Sequence, residues 1–374
     1  MRLWIALLVL FVACEGGKAE PVRRAHRGSA MTSVAVGSGG AQTYARFCAP
    51  CHADDLTGYK ADHAPSLVNP TFLESATDSF LIDAIQQGRP GTSMAAYAKA
   101  FGGPLDGPTI ATLVAWIRSH GSAPRQLAPV TLAGDVARGQ PLYETNCQKC
   151  HGTPAVRGEF VSLSNPRFLA TASDAFLSHA IVYGRPGTQM IPWQQTLGPQ
   201  DIADVIAYVR SLQQSVADQR LPPPTGHEPV FINPSGKPPK FSGHADPCPP
   251  REPKCKQDPR FVPAAAVKKA LDDGNKLVII DARPSSEWMI VHIAGAVSIP
   301  YSDFTRLDEI PKDAWIVAYC ACPHHLSGLV VDELEKRGYQ HAFVLDEGIN
   351  FWQRQKYPIV AAPGVAMPAA EPPR

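Results

Sequence analysis

The chain contains the same short motif of cysteine and histidine twice, CAPCH at 48–52 and CQKCH at 147–151. In each motif two thiols are three positions apart and a histidine follows at once. Two thiols at this spacing can add to the two vinyl groups of a haem, and the histidine can then bind the iron. A single copy would also suit a redox-active cysteine pair or half of a zinc site. A zinc site needs further cysteine or histidine ligands nearby, and neither copy repeats any.

The similarity between the two regions extends well beyond the motif, which identifies an internal duplication. The matched segments are 40–52 with 139–151, 66–94 with 162–190, and 110–119 with 202–211. Because the period is far longer than a solenoid repeat, each copy is predicted to be a small domain of its own.

Each copy is predicted to be mostly helical. One helix precedes the motif. A second is expected to begin at Thr77 or Ser173, whose side chains can cap it, and to end at Gly88 or Gly184. A third helix closes the copy.

A methionine recurs at matched positions, in GRPGTSM ending at Met94 and GRPGTQM ending at Met190. Methionine often fills gaps in a core, but its recurrence in an irregular segment favours a ligand. Together with the motifs, these segments resemble class I cytochromes c over residues 39–120 and 137–213.

The resemblance implies two covalently bound haem c groups, one on Cys48 and Cys51 and one on Cys147 and Cys150. The implied iron ligands are the motif histidine and the downstream methionine of each copy: His52 with Met94, and His151 with Met190. With both axial positions filled, the iron is suited to electron transfer rather than to oxygen or substrate chemistry.

Some histidines and one neighbouring carbonyl differ between the copies. The family uses a proline carbonyl to accept the proton of the iron-binding histidine; Pro65 stands there in the first copy and Val161 in the second. We expect the hydrogen bond in both, and two haems of different potential. His63, His120 and His179 are alternative candidates for iron ligands, but none recurs at the equivalent position of the other copy. His179 is predicted to be an exposed helix residue.

The N-terminus has the pattern of an export signal over 1–14, followed by a flexible tether over 15–38. Its apolar stretch is too short to span a bilayer. Cys14 follows a small residue and resembles the lipid-bearing cysteine of bacterial lipoproteins, although Phe11 departs from that pattern. Two interpretations stay open: a lipid-anchored protein, or an ordinary cleaved signal with an incidental cysteine. Either predicts a bacterial periplasmic protein, free or membrane-anchored.

Charge and proline content limit the partners and the domain boundaries. The net charge of +1 gives no electrostatic case for nucleic acid. Proline clusters predict a linker over 214–260 and a tail over 359–374. Within the linker, Cys248 and Cys255 are expected to form a disulfide, with a metal site that includes His244 as the alternative.

Residues 261–358 alternate between strand and helix patterns, which predicts an α/β domain with a central parallel sheet. The segments IDAR, EWMIVHIAGAVSIP and LDEGINFW, with the loop that Cys320 opens, resemble a rhodanese domain. Asp281, Arg283 and His292 within these segments are expected to be structural.

The resemblance places Cys320 at the sulfurtransferase nucleophile, which takes a sulfane sulfur from a donor such as thiosulfate and holds it as a persulfide. The segment CACPHHLS lacks the arginine typical of the family, and Ser327 comes one residue late. Without an arginine, phosphatase activity is not expected, though His324 or His325 could bind an anion. Cys322, two residues from Cys320, could resolve a persulfide, form a strained disulfide or be a simple loop residue.

The sequence therefore predicts two mostly α cytochrome c domains followed by an α/β rhodanese-like domain. The predicted function is an exported dihaem electron carrier fused to a sulfurtransferase module, which links sulfur compounds to electron transfer. The alternative is an electron-transfer subunit whose rhodanese-like domain is non-catalytic and binds a partner or senses sulfide. Expected partners are another cytochrome, an oxidase or a dehydrogenase, and a small sulfur-containing substrate.

Overall fold

The computed structural model describes residues 39–215, 219–241, 259–321 and 324–370. The predicted signal and tether, the Cys248–Cys255 pair and Cys322 lie outside these residues. Among the helices described, each is too short or too polar to cross a bilayer.

The first repeat is a small helical domain. The motif forms the short second helix, and a 3₁₀ turn spans Lys99–Phe101. Its helices are α1 Gly40–Phe47, α2 Ala49–His52, α3 Pro70–Ser75, α4 Asp78–Gln87 and α5 Gly107–Arg118. As predicted, Thr77 caps α4 by accepting a hydrogen bond from a backbone N–H, and α4 ends at Gly88.

The second repeat has the same order of helices. They are α6 Val136–Asn146, α7 Gln148–His151, α8 Pro166–Thr171, α9 Asp174–Tyr183 and α10 Pro199–Ser211. In both repeats the first and last helices cross at a glycine. A Cβ on Gly40 would collide with Trp116, and one on Gly139 with the backbone of Asp204. The absence of a side chain at these positions lets the two helices approach closely.

The two repeats pack face to face with matched contacts. Asn69 donates its side-chain N–H to the Pro186 carbonyl over 2.9 Å, and Asn165 donates to the Pro90 carbonyl over the same distance. Because Asn69 and Asn165 are equivalent, as are Pro90 and Pro186, the interface has approximate two-fold symmetry.

Aromatic rings fill the centre of that interface. Phe80 of the first repeat stacks on Phe176 of the second, with ring centroids 4.8 Å apart. The prediction that His179 is exposed is wrong. His179 is buried, with its ring 4.7 Å from that of Tyr183 and its Nε2 4.0 Å from a Glu74 oxygen. It lies on α9, which packs against α3 of the other repeat, and sequence periodicity could not report that contact.

The third region is the predicted α/β domain. Its strands are β1 Phe261–Val262, β2 Val278–Asp281, β3 Val291–Ile293, β4 Val297–Ser298, β5 Ile316–Tyr319, β6 Ala342–Leu345 and β7 Ile359–Ala361. Its helices are α11 Ala264–Asp272, α12 Ser285–Trp288, α13 His325–Lys336 and α14 Gly348–Arg354, with a 3₁₀ turn at Thr305–Glu309.

Five of these strands form one parallel sheet in the order β1-β6-β5-β2-β4. The central strands β2 and β5 are fully buried, as expected for a parallel sheet covered on both faces. Since the carboxyl ends of parallel strands meet at one edge, Cys320 lies at that edge, directly after β5.

The proline-rich segments do more than link domains. Within the predicted linker, Ile232 pairs with Leu277 at the start of β2, so this part lies along the sheet. The predicted tail begins as strand β7, which pairs antiparallel with β3. Further on, Ala370 accepts a hydrogen bond from the backbone N–H of Arg157 in the second repeat over 2.8 Å. The segment predicted as a proline-rich tail therefore contributes a strand and a contact to the second repeat.

Candidate haem and sulfur sites

The motif histidines are held in the same way in both repeats. His52 Nδ1 lies 2.8 Å from the Pro65 carbonyl oxygen, and His151 Nδ1 lies 2.7 Å from the Val161 carbonyl oxygen. The expectation that valine preserves this hydrogen bond is confirmed. A carbonyl oxygen can only accept a hydrogen bond, so Nδ1 carries the proton and Nε2 is left with its lone pair for a metal.

Burial favours the neutral form of five motif side chains. It lowers the pKa of His52 and of His151, although their carbonyl hydrogen bonds act in the opposite direction. It raises the pKa of Cys48 and of Cys51 to about 12, and that of Cys147 to about 11. A redox-active dithiol needs an accessible thiolate, which the burial of Cys48, Cys51 and Cys147 disfavours.

The two methionines lie at the ends of loops with the same geometry. The backbone N–H of Arg89 donates to the Met94 carbonyl over 2.7 Å, and that of Arg185 donates to the Met190 carbonyl over 2.7 Å. Both methionines line the same cavity as the motif histidine of their own repeat. The structure therefore brings together the two side chains that the sequence predicted as ligands in each repeat.

A cavity of about 380 Å³ between the repeats is lined by both motifs and both methionine loops. Arg89 and Arg185 lie in its wall, and burial lowers the pKa of each guanidinium to about 10. Their side chains donate to hydroxyl and carbonyl oxygens, Arg89 to the Gly88 carbonyl at 3.1 Å and Arg185 to Thr71 at 3.3 Å.

This donor set fits haem c. An apolar space, paired thiols and an imidazole with a free Nε2 match the porphyrin and its iron, and two partly buried cations suit the propionate carboxylates. Sequence reasoning missed these arginines. Their recurrence in the two GRPGT segments was the signal that could have found them.

Cys320 is fully buried at the carboxyl end of β5. Its sulfur lies 3.4 Å from the Ser327 hydroxyl oxygen, in the first turn of α13. Gly348 packs against the Cys320 carbonyl with a φ of +67°, where a Cβ would be too close. The loop is thus held between α13 and α14.

The two loop histidines have separate surroundings. His324 pairs through Nε2 with Asp346 and stacks on Phe261, with ring centroids 3.7 Å apart. His325 instead faces the first repeat, and its Nδ1 lies 3.7 Å from Cys51 Sγ. The sequence held no signal for this contact between the sulfur loop and a haem-attachment motif.

Asp281, Arg283 and His292, which were expected to be structural, make contacts within the rhodanese-like domain. Arg283 donates to both carboxylate oxygens of Asp281, over 2.9 and 2.7 Å, and to the Val291 carbonyl. His292 stacks on Trp288 with ring centroids 3.8 Å apart. These contacts fix the strand ends rather than the sulfur.

The fold and the sites define a protein of covalent haem-binding electron-transfer domains joined to a rhodanese-like domain. Two segments, 35–117 and 134–209, match the family described as cytochrome c oxidase, cbb3-type, subunit III. Residues 263–355 match the rhodanese-like domain family. The chain therefore has two cbb3-type cytochrome c segments and a C-terminal rhodanese-like domain.

Curated relatives match one part or the other. The chain is 30% identical over 173 residues to the cbb3-type cytochrome c oxidase subunit FixP of Bradyrhizobium diazoefficiens, covering 44% of this chain and 57% of FixP. It is 38% identical over 91 residues to the probable adenylyltransferase/sulfurtransferase MoeZ of Mycobacterium tuberculosis, covering 24% of this chain and 23% of MoeZ. A solved rhodanese-like domain from Anabaena is 24% identical, with a TM-score of 0.27, over 31% of this chain and 89% of that domain.

Proposed function

We propose that the protein is an exported, periplasm-facing dihaem electron carrier whose rhodanese-like domain transfers sulfur, and that it links sulfur compounds to electron transfer. The cytochrome segments support the first half and the Cys320 loop supports the second. The similarity to oxidase subunits supports redox partners such as components of an oxidase complex. Lipidation of Cys14 would anchor the carrier to a membrane.

The first haem would be held by Cys48, Cys51, His52 and Met94, and the second by their equivalents, Cys147, Cys150, His151 and Met190. A bound haem c supplies an iron that takes up or gives back one electron. The chain's own residues orient each imidazole through a backbone carbonyl, exclude water with apolar walls, and neutralise carboxylates with Arg89 and Arg185.

The proposed sulfur step takes place at Cys320. Its thiolate attacks the sulfane sulfur of thiosulfate, a new sulfur–sulfur bond forms, and the sulfur–sulfur bond of thiosulfate breaks. Sulfite leaves with the bonding electron pair, so this transfer releases no net electrons. Hydrosulfide differs: joining HS⁻ to the thiolate gives the same persulfide, one proton and two electrons, which require one-electron acceptors such as ferric cytochrome.

One observation carries the link between the two activities. The 3.7 Å contact of His325 Nδ1 with Cys51 Sγ joins the loop that Cys320 opens to a haem-attachment motif. If the rhodanese-like domain were only a separate module, no contact between this loop and the first repeat would be expected.

Two assays test the proposal separately. After incubation of the holoprotein with thiosulfate, mass spectrometry should find one added sulfur on Cys320. With hydrosulfide and ferric protein under anaerobic conditions, haem absorbance should show reduction that is slower in Cys320→Ala, which corrects for direct reduction of haem by sulfide. Equal rates in both proteins would disprove the link, even if the persulfide forms.

A non-catalytic rhodanese-like domain is the second candidate, and two observations favour it. Cys320 is fully buried, and the segment from Cys320 to Ser327 has no arginine. In that case the domain binds a partner or senses sulfide, and Cys320 stays unmodified after incubation with thiosulfate.

A further inference from the structure

The first repeat covers the edge of the sheet where Cys320 lies. After β2, the Ser286 hydroxyl donates to the Ala96 carbonyl over 2.6 Å. After β4, the Tyr301 hydroxyl donates to the Phe47 carbonyl over 2.9 Å and lies 3.1 Å from the Tyr97 hydroxyl. All five of these residues are buried, so the contacts belong to a closed interface.

The cover reaches the end of β5 as well. His325 meets Cys51 there, as described above. Ala321 and Leu326, on either side of the loop, face Thr92 and Ser93 of the Met94 loop across a gap of about 10 Å³. A gap of that size holds about one water molecule.

Three strand ends of the sheet are therefore roofed by one domain, and this domain contributes both its haem-attachment motif and its methionine loop. In the described part of the chain, no hydrogen bond joins the motif or the methionine loop of the second repeat to this edge. Its own methionine loop is open, and Ile191 beside Met190 is 53% exposed, whereas the equivalent Ala95 beside Met94 is 1% exposed.

We infer that the first cytochrome repeat is a roof over the Cys320 site, which therefore favours the smallest inorganic sulfur species, such as hydrosulfide, and excludes large thiols and proteins. The identification of sulfur species as the substrates rests on the proposed function, whereas the covering of Cys320 by the first repeat does not. A protein acceptor would have to displace buried hydrogen bonds at two strand ends before it reached the sulfur.

A metal at the same place is a competing interpretation that we do not adopt. Cys51, Asp62 and His325 bring possible ligand atoms within 4.8 Å of one another. The Cys51 sulfur is already used in the proposed bond to haem, and a thioether is a poor partner for an imidazole and a carboxylate around one ion.

Thiol reagents of graded size test the roof on the full-length holoprotein. A Cys322→Ser background makes Cys320 the one thiol of its loop. The small reagent is methyl methanethiosulfonate, and the large one is a maleimide on a polyethylene glycol chain. Mass spectrometry follows both at Cys320. We expect the small reagent to modify native protein and the large one to lag far behind it.

Two tyrosines provide a matched pair of variants. Tyr301 donates across the interface to the Phe47 carbonyl, whereas Tyr339 donates within the rhodanese-like domain to the Ile310 carbonyl over 2.9 Å. Loss of one such hydrogen bond should raise the population of the uncovered state about three- to tenfold. Tyr301→Phe should therefore speed the large reagent by that factor, and Tyr339→Phe should not.

Three results would overturn the inference. One is equal rates for both reagents on native protein, because the site would then be open. Another is an equal gain from both tyrosine variants, which would indicate general loosening. The third is no reaction at Cys320 with either reagent, since the site would then admit no substrate. Failure to form a persulfide from thiosulfate, by contrast, bears on the proposed function alone.

Discussion

The interface between the two cytochrome repeats can be probed through its paired asparagines. Each asparagine caps its own helix and also donates a hydrogen bond to the opposite repeat. The Asn165 side-chain oxygen accepts from Phe168 N over 3.0 Å and caps α8, while its N–H donates to the Pro90 carbonyl over 2.9 Å. Asn69 does the same, with 3.3 Å to Phe72 N and 2.9 Å to the Pro186 carbonyl.

Serine separates the two roles. It caps a helix about as well as asparagine, but its short side chain cannot reach the other repeat. Asn165→Ser should therefore cost the interdomain hydrogen bond and leave the Pro90 carbonyl half-buried without its partner, about 1–3 kcal/mol. Asn69→Ser should cost less, about 0.5–1.5 kcal/mol, because Pro186 is more exposed and water can replace the lost donor.

Alanine adds the loss of the cap. Asn165→Ala should be destabilising by about 0.5–2 kcal/mol beyond Asn165→Ser. Asp106→Ser is the matched control, because Asp106 caps α5 by accepting from Thr109 N over 2.9 Å and touches no residue of the second repeat in the hydrogen bonds of the described chain. That variant should stay within about 0.5 kcal/mol of wild type.

Urea unfolding of the holoprotein, followed by far-ultraviolet circular dichroism and by the haem Soret band, measures these differences. The asparagines hold the two sides of the shared cavity, so the Soret transition should shift together with the helical one. If Asn165→Ser is no worse than Asp106→Ser, the paired hydrogen bonds do not hold the repeats together and the reasoning fails.

Four further predictions follow from single sites. Met94→His and Met190→His should each lower the midpoint potential of one haem, by part of the roughly 0.8 V range that axial ligands span; unchanged potentiometric titrations would remove that methionine as a ligand. Arg283→Ala should cost about 3–5 kcal/mol in urea unfolding, because it leaves the buried carboxylate of Asp281 unpaired. Burial raises the pKa of Glu287, although Arg283 acts in the opposite direction, so the native state binds this proton more tightly than the unfolded state does. The stability that results is complete below the unfolded pKa near 4.5 and declines as pH rises through the native pKa. In thermal unfolding, Glu287→Gln should therefore be more stable than wild type at pH 7 and lose that advantage near pH 4. The intact mass of the mature protein should include two haem groups, and lipid on the first residue if Cys14 is processed as in lipoproteins.

The local features of the sites could be predicted from sequence because short segments determine them. The histidine-to-carbonyl hydrogen bonds, the cap at Thr77 and the position of Cys320 after a buried strand each depend on a few neighbouring residues. The duplication supports these predictions, since a feature such as Met94 recurs at the matched position as Met190.

Features that depend on which surfaces meet could not be predicted. His179 has the pattern of a surface residue, and it is buried because α9 packs on the other repeat. The strand Ile359–Ala361 directly follows Pro358 and is held by pairing with β3 and by packing of Ile359 on the core. The approach of His325 to Cys51 joins residues that are far apart in the chain, and no periodicity or motif records it.

The differences between the repeats agree with their different surroundings. Where the first repeat has Phe47 and Tyr97, both buried and in contact with Tyr301, the second has Asn146 and Trp193, which do not meet the rhodanese-like domain through the hydrogen bonds described. The same holds beside the methionines, where a buried alanine corresponds to an exposed isoleucine. The two copies share the residues proposed to hold the haem, and they differ at the surface that covers the sulfur site. The first repeat thus has two constraints, its cofactor and the roof, and substitutions on its methionine loop should disturb the Cys320 site while the equivalent substitutions in the second repeat leave that site unchanged.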